Sequence, residues 1–488
     1  MRLGLFLALG AAFVALTLAV PDRAEAGPGL VVGAVEDEVR ATSLVEAEAK
    51  MALFRAAGFR AVRVTAYWLP GQSRPPGDEH AVLRSVAEAG ARNGVRVFVT
   101  VMSPGSATTP LSDEARAQFV SYAATIAREI PAIRDVIVGN EPNLNRFWLP
   151  QFASDGSSAS PAAYLALLGQ TYDALKAVSP AVRVHGVAVS PRGTDRPAGM
   201  RPTHSPVTFI RGLGAAYRAS GRSAPIMDTF VIHPYMENSS LPPTTAHPHP
   251  ENTTVTIADY DKLLSLLAEA FDGTAQPGSR LPILYGEFGV ETQIPDAKRG
   301  VYTGREPDTT RPVTEETQAA YYEQALGLAF CQPNVVGILL LHSHDERALD
   351  RWQSGVRYAD GSPKSSLPRV TQALDRTVGG SIARCPGLQL AVRPTLLRFG
   401  TRSAARRGAF RVRLRCNYDC VYRVRLENAV TGSVRLGRRG RASAGETVRV
   451  DLGSRRLRPG TYRYTLRLVH PVNPAAPTVR TGRPFRLP

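Results

Sequence analysis

A chain of 488 residues is too long for one ordinary domain and calls for two or three. Its net charge of +17 is not spread evenly: residues 388–488 hold 23 arginines, no lysine and four acidic residues, a balance of +19 that leaves −2 for residues 1–387. This excludes a chain-wide polyanion binder. Any attraction to acidic polysaccharide, cell-wall polymer, anionic lipid or nucleic acid belongs to the C-terminal segment, where a solvated arginine-rich sheet face is the alternative reading.

The N-terminus opens with Arg2, an apolar run from Leu3 to Val20, and Ala24-Glu25-Ala26. Together these match a secretory leader with a small-x-small cleavage site, predicting an exported protein that begins near Gly27. A membrane anchor is the rival, because the run is close to spanning length. The cleavage site, and the lack of a second such run, favour export. Four cysteines fit an oxidising compartment. Cys416 and Cys420 flank Asn417-Tyr418-Asp419 and are spaced to close a tight hairpin, which leaves Cys331 and Cys385 as the other pair. A zinc site is disfavoured, since the C-x-x-x-C spacing has no second close pair to complete it.

In chain order, Leu30 to Val35 is a strand candidate, followed by helical apolar spacing from Ser43 to Ala57 and a stop at Gly58. Ala61 to Tyr67 and Val95 to Met102 are the next strands, with helices over Glu79 to Asn93 and Ser112 to Glu129. The fourth strand is D-V-I-V-G-N-E-P, from Asp135, stopped by Pro142 because proline cannot continue a central strand. A helix entered at Ser160-Pro161 runs to Val178. Strands over Val182 to Val189, Met227 to His233, Leu281 to Phe288 and Val335 to His342 then alternate with helices. Those helices cover Ser205 to Ser220, Ile257 to Phe271, Thr314 to Phe330 and Ser366 to Val378. Eight strand–helix units in about 350 residues predict a (β/α)8 TIM barrel over residues 27–380. A doubly wound open sheet alternates similarly, but no G-x-G-x-x-G or G-x-x-x-x-G-K-[ST] opens any of the helices.

After a linker at 381–387 the period changes to two. Phe410, Val412, Leu414 and Cys416 alternate with Arg411, Arg413 and Arg415, and similar runs cover Cys420 to Leu426, Val448 to Leu452 and Tyr462 to Leu468. This pattern predicts a small all-β, immunoglobulin- or fibronectin-like sandwich over 388–488, apolar inside and arginine-rich outside.

A barrel of this kind carries its active site at the C-terminal ends of its strands. There the sequence sets Arg63, Tyr67 and Trp68 after strand two, Asn140 and Glu141 after strand four, and His233-Pro234-Tyr235 after strand six. Glu287 follows in Y-G-E-F-G at strand seven, and His342 to Glu346 at strand eight. Two carboxyls facing each other across a cleft are what cleavage of a glycosidic bond needs, one as proton donor and one as nucleophile. N-E-P at strand four and G-E-F-G at strand seven resemble the catalytic motifs of clan A, the 4/7 superfamily of retaining glycoside hydrolases, over the whole barrel. The resemblance implies a secreted O-glycosyl hydrolase acting by double displacement on an oligo- or polysaccharide, with no cofactor and no metal. It implies Glu141 as acid/base, Glu287 as nucleophile, Asn140 on the sugar 2-hydroxyl, Tyr235 and Arg63 on the nucleophile, and His233 in the same pocket. Trp68, Phe147, Trp148 and Trp352 lie near strand ends and are candidates for stacking on sugar. Many clan members end strand eight with a tryptophan, where this chain has His342 and His344; Trp352 is the candidate replacement.

Two other readings compete. His342 and His344, with His233, His247 and His249, invite a metal-dependent hydrolase, although structural or substrate-binding histidines explain this spacing better. A non-catalytic carbohydrate- or cell-wall-binding barrel is the second, opposed by the presence of both glutamates. No specific nucleic-acid partner is expected.

Overall fold

Eight apolar runs form eight parallel strands whose first and last members pair. A computed structural model describes residues 29–247, 252–379, 392–416, 420–442, 446–454, 457–469 and 477–488. The leader, the linker, Cys385, His249 and the Asn417-Tyr418-Asp419 turn lie outside the described residues. The strands are β1 Val31–Val35, β2 Ala61–Tyr67, β3 Arg96–Met102, β4 Asp135–Val138, β5 Arg183–Val189, β6 Thr229–Ile232, β7 Ile283–Phe288 and β8 Val335–Leu341. Each pairs with the next, and β1 closes the ring onto β8 with Val31 opposite Gly337. The intervening helices are α1 Leu44–Ala56, α2 Gly77–Asn93, α3 Asp113–Glu129, α4 Ser160–Val178, α5 Pro206–Ala219, α6 Tyr260–Phe271, α7 Glu315–Cys331 and α8 Leu367–Val378. The open-sheet alternative is thereby excluded: the hydrogen-bonded order is a closed (β/α)8 barrel.

Local chemistry explains the helix boundaries. Ser112, Ser205 and Thr314 each accept a backbone N–H three residues on, satisfying donors that a helix start leaves orphaned. Proline stands in the first turn of α4, α5 and α8, where its missing N–H costs nothing. Alternate strand side chains then build two cores. One set packs outward on the helices, while Ala61, Phe98, Ile137, Val231, Leu284 and Leu339 fill the barrel interior. Each of the five side chains larger than that of Ala61, once removed from water, contributes about 1.5–3 kcal/mol. The barrel is therefore a filled cylinder, which leaves its rims to carry a site.

At the N-terminal rim, buried Asp135 accepts from Arg96, Arg183 and His185. Burial alone would raise this carboxyl, but those three partners hold it far below the usual carboxylate range.

The C-terminal strands are β9 Pro394–Phe399, β10 Ala409–Cys416, β11 Cys420–Asn428, β12 Val434–Ala442, β13 Val448–Ser454, β14 Gly460–Val469, β15 Thr478–Thr481 and β16 Phe485–Leu487. They form a β13-β10-β9 sheet and a β12-β11-β14-β15 sheet, with β16 also on β14. Phe410, Val412 and Leu414 are buried, while Arg411, Arg413 and Arg415 between them are exposed. The hairpin expected at Cys416 and Cys420 is not one. Strand β10 pairs with β9 and β13, and β11 with β12 and β14, so the Cys416–Cys420 disulfide closes a crossing from one sheet to the other. Cys331 is also disulfide-bonded; its expected partner, Cys385, is outside the described residues.

Candidate active site

Strand β4 ends in Val138, and Gly139 leaves it at φ 75°, a conformation glycine adopts without penalty. Glu141 follows at φ 40°, in the left-handed region that non-glycine residues occupy at a cost. Neighbouring structure holds it there. The Glu141 N–H donates to Ala188 O at 2.9 Å, and Ala188 sits in a bulge of β5 where Val187 and Ala188 both have positive φ. Tyr164 on α4 locks the two strands together: its hydroxyl donates to Val138 O at 2.7 Å and accepts from Val187 N at 2.8 Å. Asn143 completes the brace, accepting from Ser190 N and donating to His204 O. The β4 tip is thus built by three elements, and bulges of this kind commonly re-aim groups beside active sites.

Opposite it, Gly286 precedes Glu287 on β7. A Cβ at Gly286 would lie 2.5 Å from Val231 Cγ1 and 3.2 Å from the His233 ring, so only glycine lets that ring reach the rim. Arg63, from β2, ties the site together. Its Nε donates to Thr100 Oγ1 at 2.6 Å, its Nη2 to Asn140 Oδ1 at 2.9 Å, and its Nη1 to Glu287 Oε1 at 2.6 Å. Tyr235 donates to Glu287 Oε2 at 2.8 Å. His233 Nε2 lies 3.4 Å from Arg63 Nη1, and its Nδ1 lies 3.0 Å from Glu141 Oε1 and 3.5 Å from Glu287 Oε2. Donor atoms of Glu141, His233 and Glu287 all lie within 4.8 Å of one another.

The electrostatics follow from these contacts. Burial by itself raises the Glu287 carboxyl, but His233, Arg63 and the Tyr235 hydroxyl outweigh it and hold the group below the ordinary glutamate range. Glu287 is therefore an anion at neutral pH. Burial, and the Glu287 charge beside it, push the Tyr235 phenol well above its usual value and keep it a donor.

Arg63, Asn140, Glu141, His233, Tyr235 and Glu287 are thus brought together, and Trp352 joins them. Its ring, from the β8 loop, stacks on Tyr235 at 4.9 Å between centroids. Trp68 and Trp148 do not join them. Trp68 is fully buried against Phe119 of α3 and donates to Gln72 O; Trp148 is 4% exposed and packs edge-on to Tyr164. Both expectations are corrected: large rings near a strand end satisfy burial against the adjacent helix before they can reach a cleft. His342 and His344 are occupied elsewhere, Nδ1 of His342 with Val35 O and Nδ1 of His344 near Ser343 and Glu36. The Arg63 guanidinium also places a fixed positive charge on the Glu141–His233–Glu287 group, which opposes a cation there.

Several contributors carried no motif. Thr100 orients Arg63. Buried Glu36, beyond β1, accepts from Ser343 Oγ and from the N–H groups of Ser343 and His344, fixing the start of the β8 loop. A cavity of about 530 Å³ adjoins Tyr235 and Trp352 and is walled by loops after β4, β5, β6, β7 and β8. Fold and site together define a (β/α)8 barrel with a carboxyl pair at its mouth.

No family model matches the chain, and no curated protein does. Among solved structures the chain is similar to beta-glucuronidase 2 of Bacteroides uniformis, with a TM-score of 0.45 and 13% identity over 94% of this chain and 46% of that one. It is similar also to an exo-beta-1,4-mannosidase from Opitutaceae bacterium strain TAV5, with a TM-score of 0.44 and 16% identity over 73% and 60% of the two chains. A glucosidase from Croceicoccus marinus gives a TM-score of 0.45 and 14% identity over 88% and 93%. The chain thus spans less than half the length of the glucuronidase and three-fifths of the mannosidase. The barrel assignment rests on the strand pairing of this chain, not on these distant likenesses.

Proposed function

We propose that the protein is an exported retaining glycoside hydrolase of clan A type. The observation that carries this reading is the carboxyl pair: one carboxyl oxygen of Glu141 and one of Glu287 lie within 4.8 Å of each other across the barrel mouth. So close an approach is nearer the carboxyl separation of about 5–5.5 Å used for retention than the roughly 6.5–9.5 Å that admits a water for inversion. In the first step a Glu287 oxygen attacks the anomeric carbon, the glycosidic C–O bond breaks, and Glu141 gives its proton to the departing oxygen. In the second, Glu141 takes a proton from water, the resulting oxygen attacks the same carbon, and Glu287 leaves as a carboxylate. Arg63 and Tyr235 hold the nucleophile, and His233 sets the orientation of Glu141. Asn140, whose oxygen is taken by Arg63, keeps its amide N–H groups for the sugar 2-hydroxyl.

The experiment is turnover of a panel of aryl glycosides by the wild type and by Glu287→Gln, combined with intact-mass measurement after exposure to 2-deoxy-2-fluoro glycosides. Expected are turnover of at least one member, its near-complete loss in the variant, and a single glycosyl adduct that maps to Glu287. Absence of both turnover and adduct, with glycan binding retained, would support the carbohydrate-binding reading instead.

The basic C-terminal domain is proposed to hold the enzyme on an anionic glycan. In strand register, Arg439 of β12 stands opposite Arg423 of β11, which stands opposite Arg467 of β14. Like charges directly opposed across a sheet are destabilising, so a row of three gains from a bound polyanion.

A further inference from the structure

The cavity beside the glutamates has a charge that no motif announced. Arg146 enters it from the loop after β4, Arg192 from the loop after β5, and Arg351 from the loop after β8. Among the described residues none of the three has an ion-pair partner. Arg192 is the most informative. It is half-buried, and the loss of hydration depresses its guanidinium, an effect that Glu237 and Glu141 only partly offset. Its Nη1 donates to Met236 O at 2.8 Å, which leaves the Nε and Nη2 donors for something else.

The acidic groups on the same wall answer this charge only in part. Glu237 is shared with His247, whose Nε2 lies 2.5 Å from it and whose Nδ1 is held by Asp259. Glu291 is buried, which pushes its carboxyl up to about 8, so it is uncharged at neutral pH. Asp350 is exposed at the rim. A partly dehydrated guanidinium with a free pair of N–H groups is best satisfied by a planar oxyanion that accepts two parallel hydrogen bonds. Two features tie that oxyanion to the reacting sugar. Tyr235, which bonds Glu287, and Trp352, which stacks on Tyr235, both line the cavity, and Arg192 lies close enough to Glu141 to feel its charge.

We infer that the cavity is a subsite for a carboxylate-bearing sugar, so that the substrate is a uronic-acid-containing glycan with Arg192 as the principal partner of its carboxylate and Arg351 and Arg146 at the rim. This rests on the glycosidase reading, and the test separates the two. In the first arm, kcat/KM is compared for nitrophenyl glucosides and galactosides against the corresponding glucuronides and galacturonides, in both anomers. In the second, calorimetry measures binding of free glucuronate and galacturonate, their neutral parents and a sulfated galactose to full-length Glu287→Gln.

Expected is a uronide preference of about tenfold or more in both arms. In Arg192→Ala that ratio should fall by about 10–100-fold, the weight of a lost charge-assisted contact. Arg351→Ala, at an exposed position that leaves folding untouched, should lower it less. A neutral preference in the wild type, a ratio indifferent to both substitutions, or binding of the sulfated sugar without binding of uronates would overturn the subsite. Uronate binding that Arg192→Ala abolishes, with no turnover of any glycoside, would support the subsite and remove the glycosidase reading instead.

Discussion

Arg63 is buried with each of its three nitrogens committed, to Thr100, to Asn140 and to Glu287, so its loss is felt in three places at once. Because it helps hold Glu287 below the ordinary glutamate range, the proposed nucleophile stays ionised as pH falls until that lowered value is reached. Arg63→Lys keeps a charge but not the fork. It should cut kcat about a hundredfold and move the acid limb of the pH–rate profile upward; an unmoved limb would show that burial and His233 alone set the carboxyl. Glu291 behaves in the opposite sense. Its folded value of about 8 exceeds the unfolded one, so the folded state binds the extra proton and stability falls as pH rises between the ordinary glutamate value and about 8. Glu291→Gln removes that dependence. Between about pH 5 and about pH 9 the wild-type Tm should drop at least about 2 °C further than that of the variant, read by calorimetry.

At the scale of elements, the Asp135 cluster and the proposed site sit at opposite rims. Asp135 anchors β3, β4 and β5 at the N-terminal rim, away from the carboxyl pair. Asp135→Ala leaves Arg96, Arg183 and His185 without their shared anion and should cost about 3 kcal/mol of stability, seen in denaturant midpoints, with kcat unchanged. Tyr164 is the contrasting case. It is fully buried and braces the end of β4 against the bulge of β5. Tyr164→Phe leaves Val138 O and Val187 N unpaired, a cost of about 1–3 kcal/mol. It also loosens the strained Glu141 backbone, so kcat should fall while KM holds. A variant that lost only stability would show that the bulge keeps its shape without the hydroxyl.

For the whole molecule, the charge division matters most. The barrel carries almost no net charge, and Arg439, Arg423 and Arg467 of the second domain stand in register across β12, β11 and β14. Retention on a polygalacturonate resin should be strong at low salt and lost as salt rises, because exposed charges are screened over about 10 Å at 0.1 M. A chain ending at residue 387 should elute unretained yet turn over a soluble aryl glycoside as before. Equal retention of both forms would assign the attraction to the barrel and leave the arginine rows without a partner.

The alternation of apolar runs was enough to set the fold class, since a strand buried on both faces must be apolar throughout and a covering helix apolar on one side; the boundaries fall within two residues of Ala61–Tyr67, Ser160–Val178 and most others. Strands β9, β12, β15 and β16 were not legible. β12 reads V-R-L-G-R-R-G-R-A and buries little, so its partner's hydrogen bonds define it and its own side chains do not. For the site, a carboxyl at a strand end with a glycine shortly before it is a local signal, which is why Glu141 and Glu287 are legible as candidates in single motifs. Whether a ring faces the cleft or the helix layer is not local: Trp352 went one way, Trp68 and Trp148 the other. Nor could sequence reveal that Arg146, Arg192 and Arg351, from three separate loops, share one cavity. The period of the chain dictates which elements form and where they end. Convergence of groups far apart in sequence depends on barrel closure, because only the closed ring brings the loops of β4, β5 and β8 to a common rim.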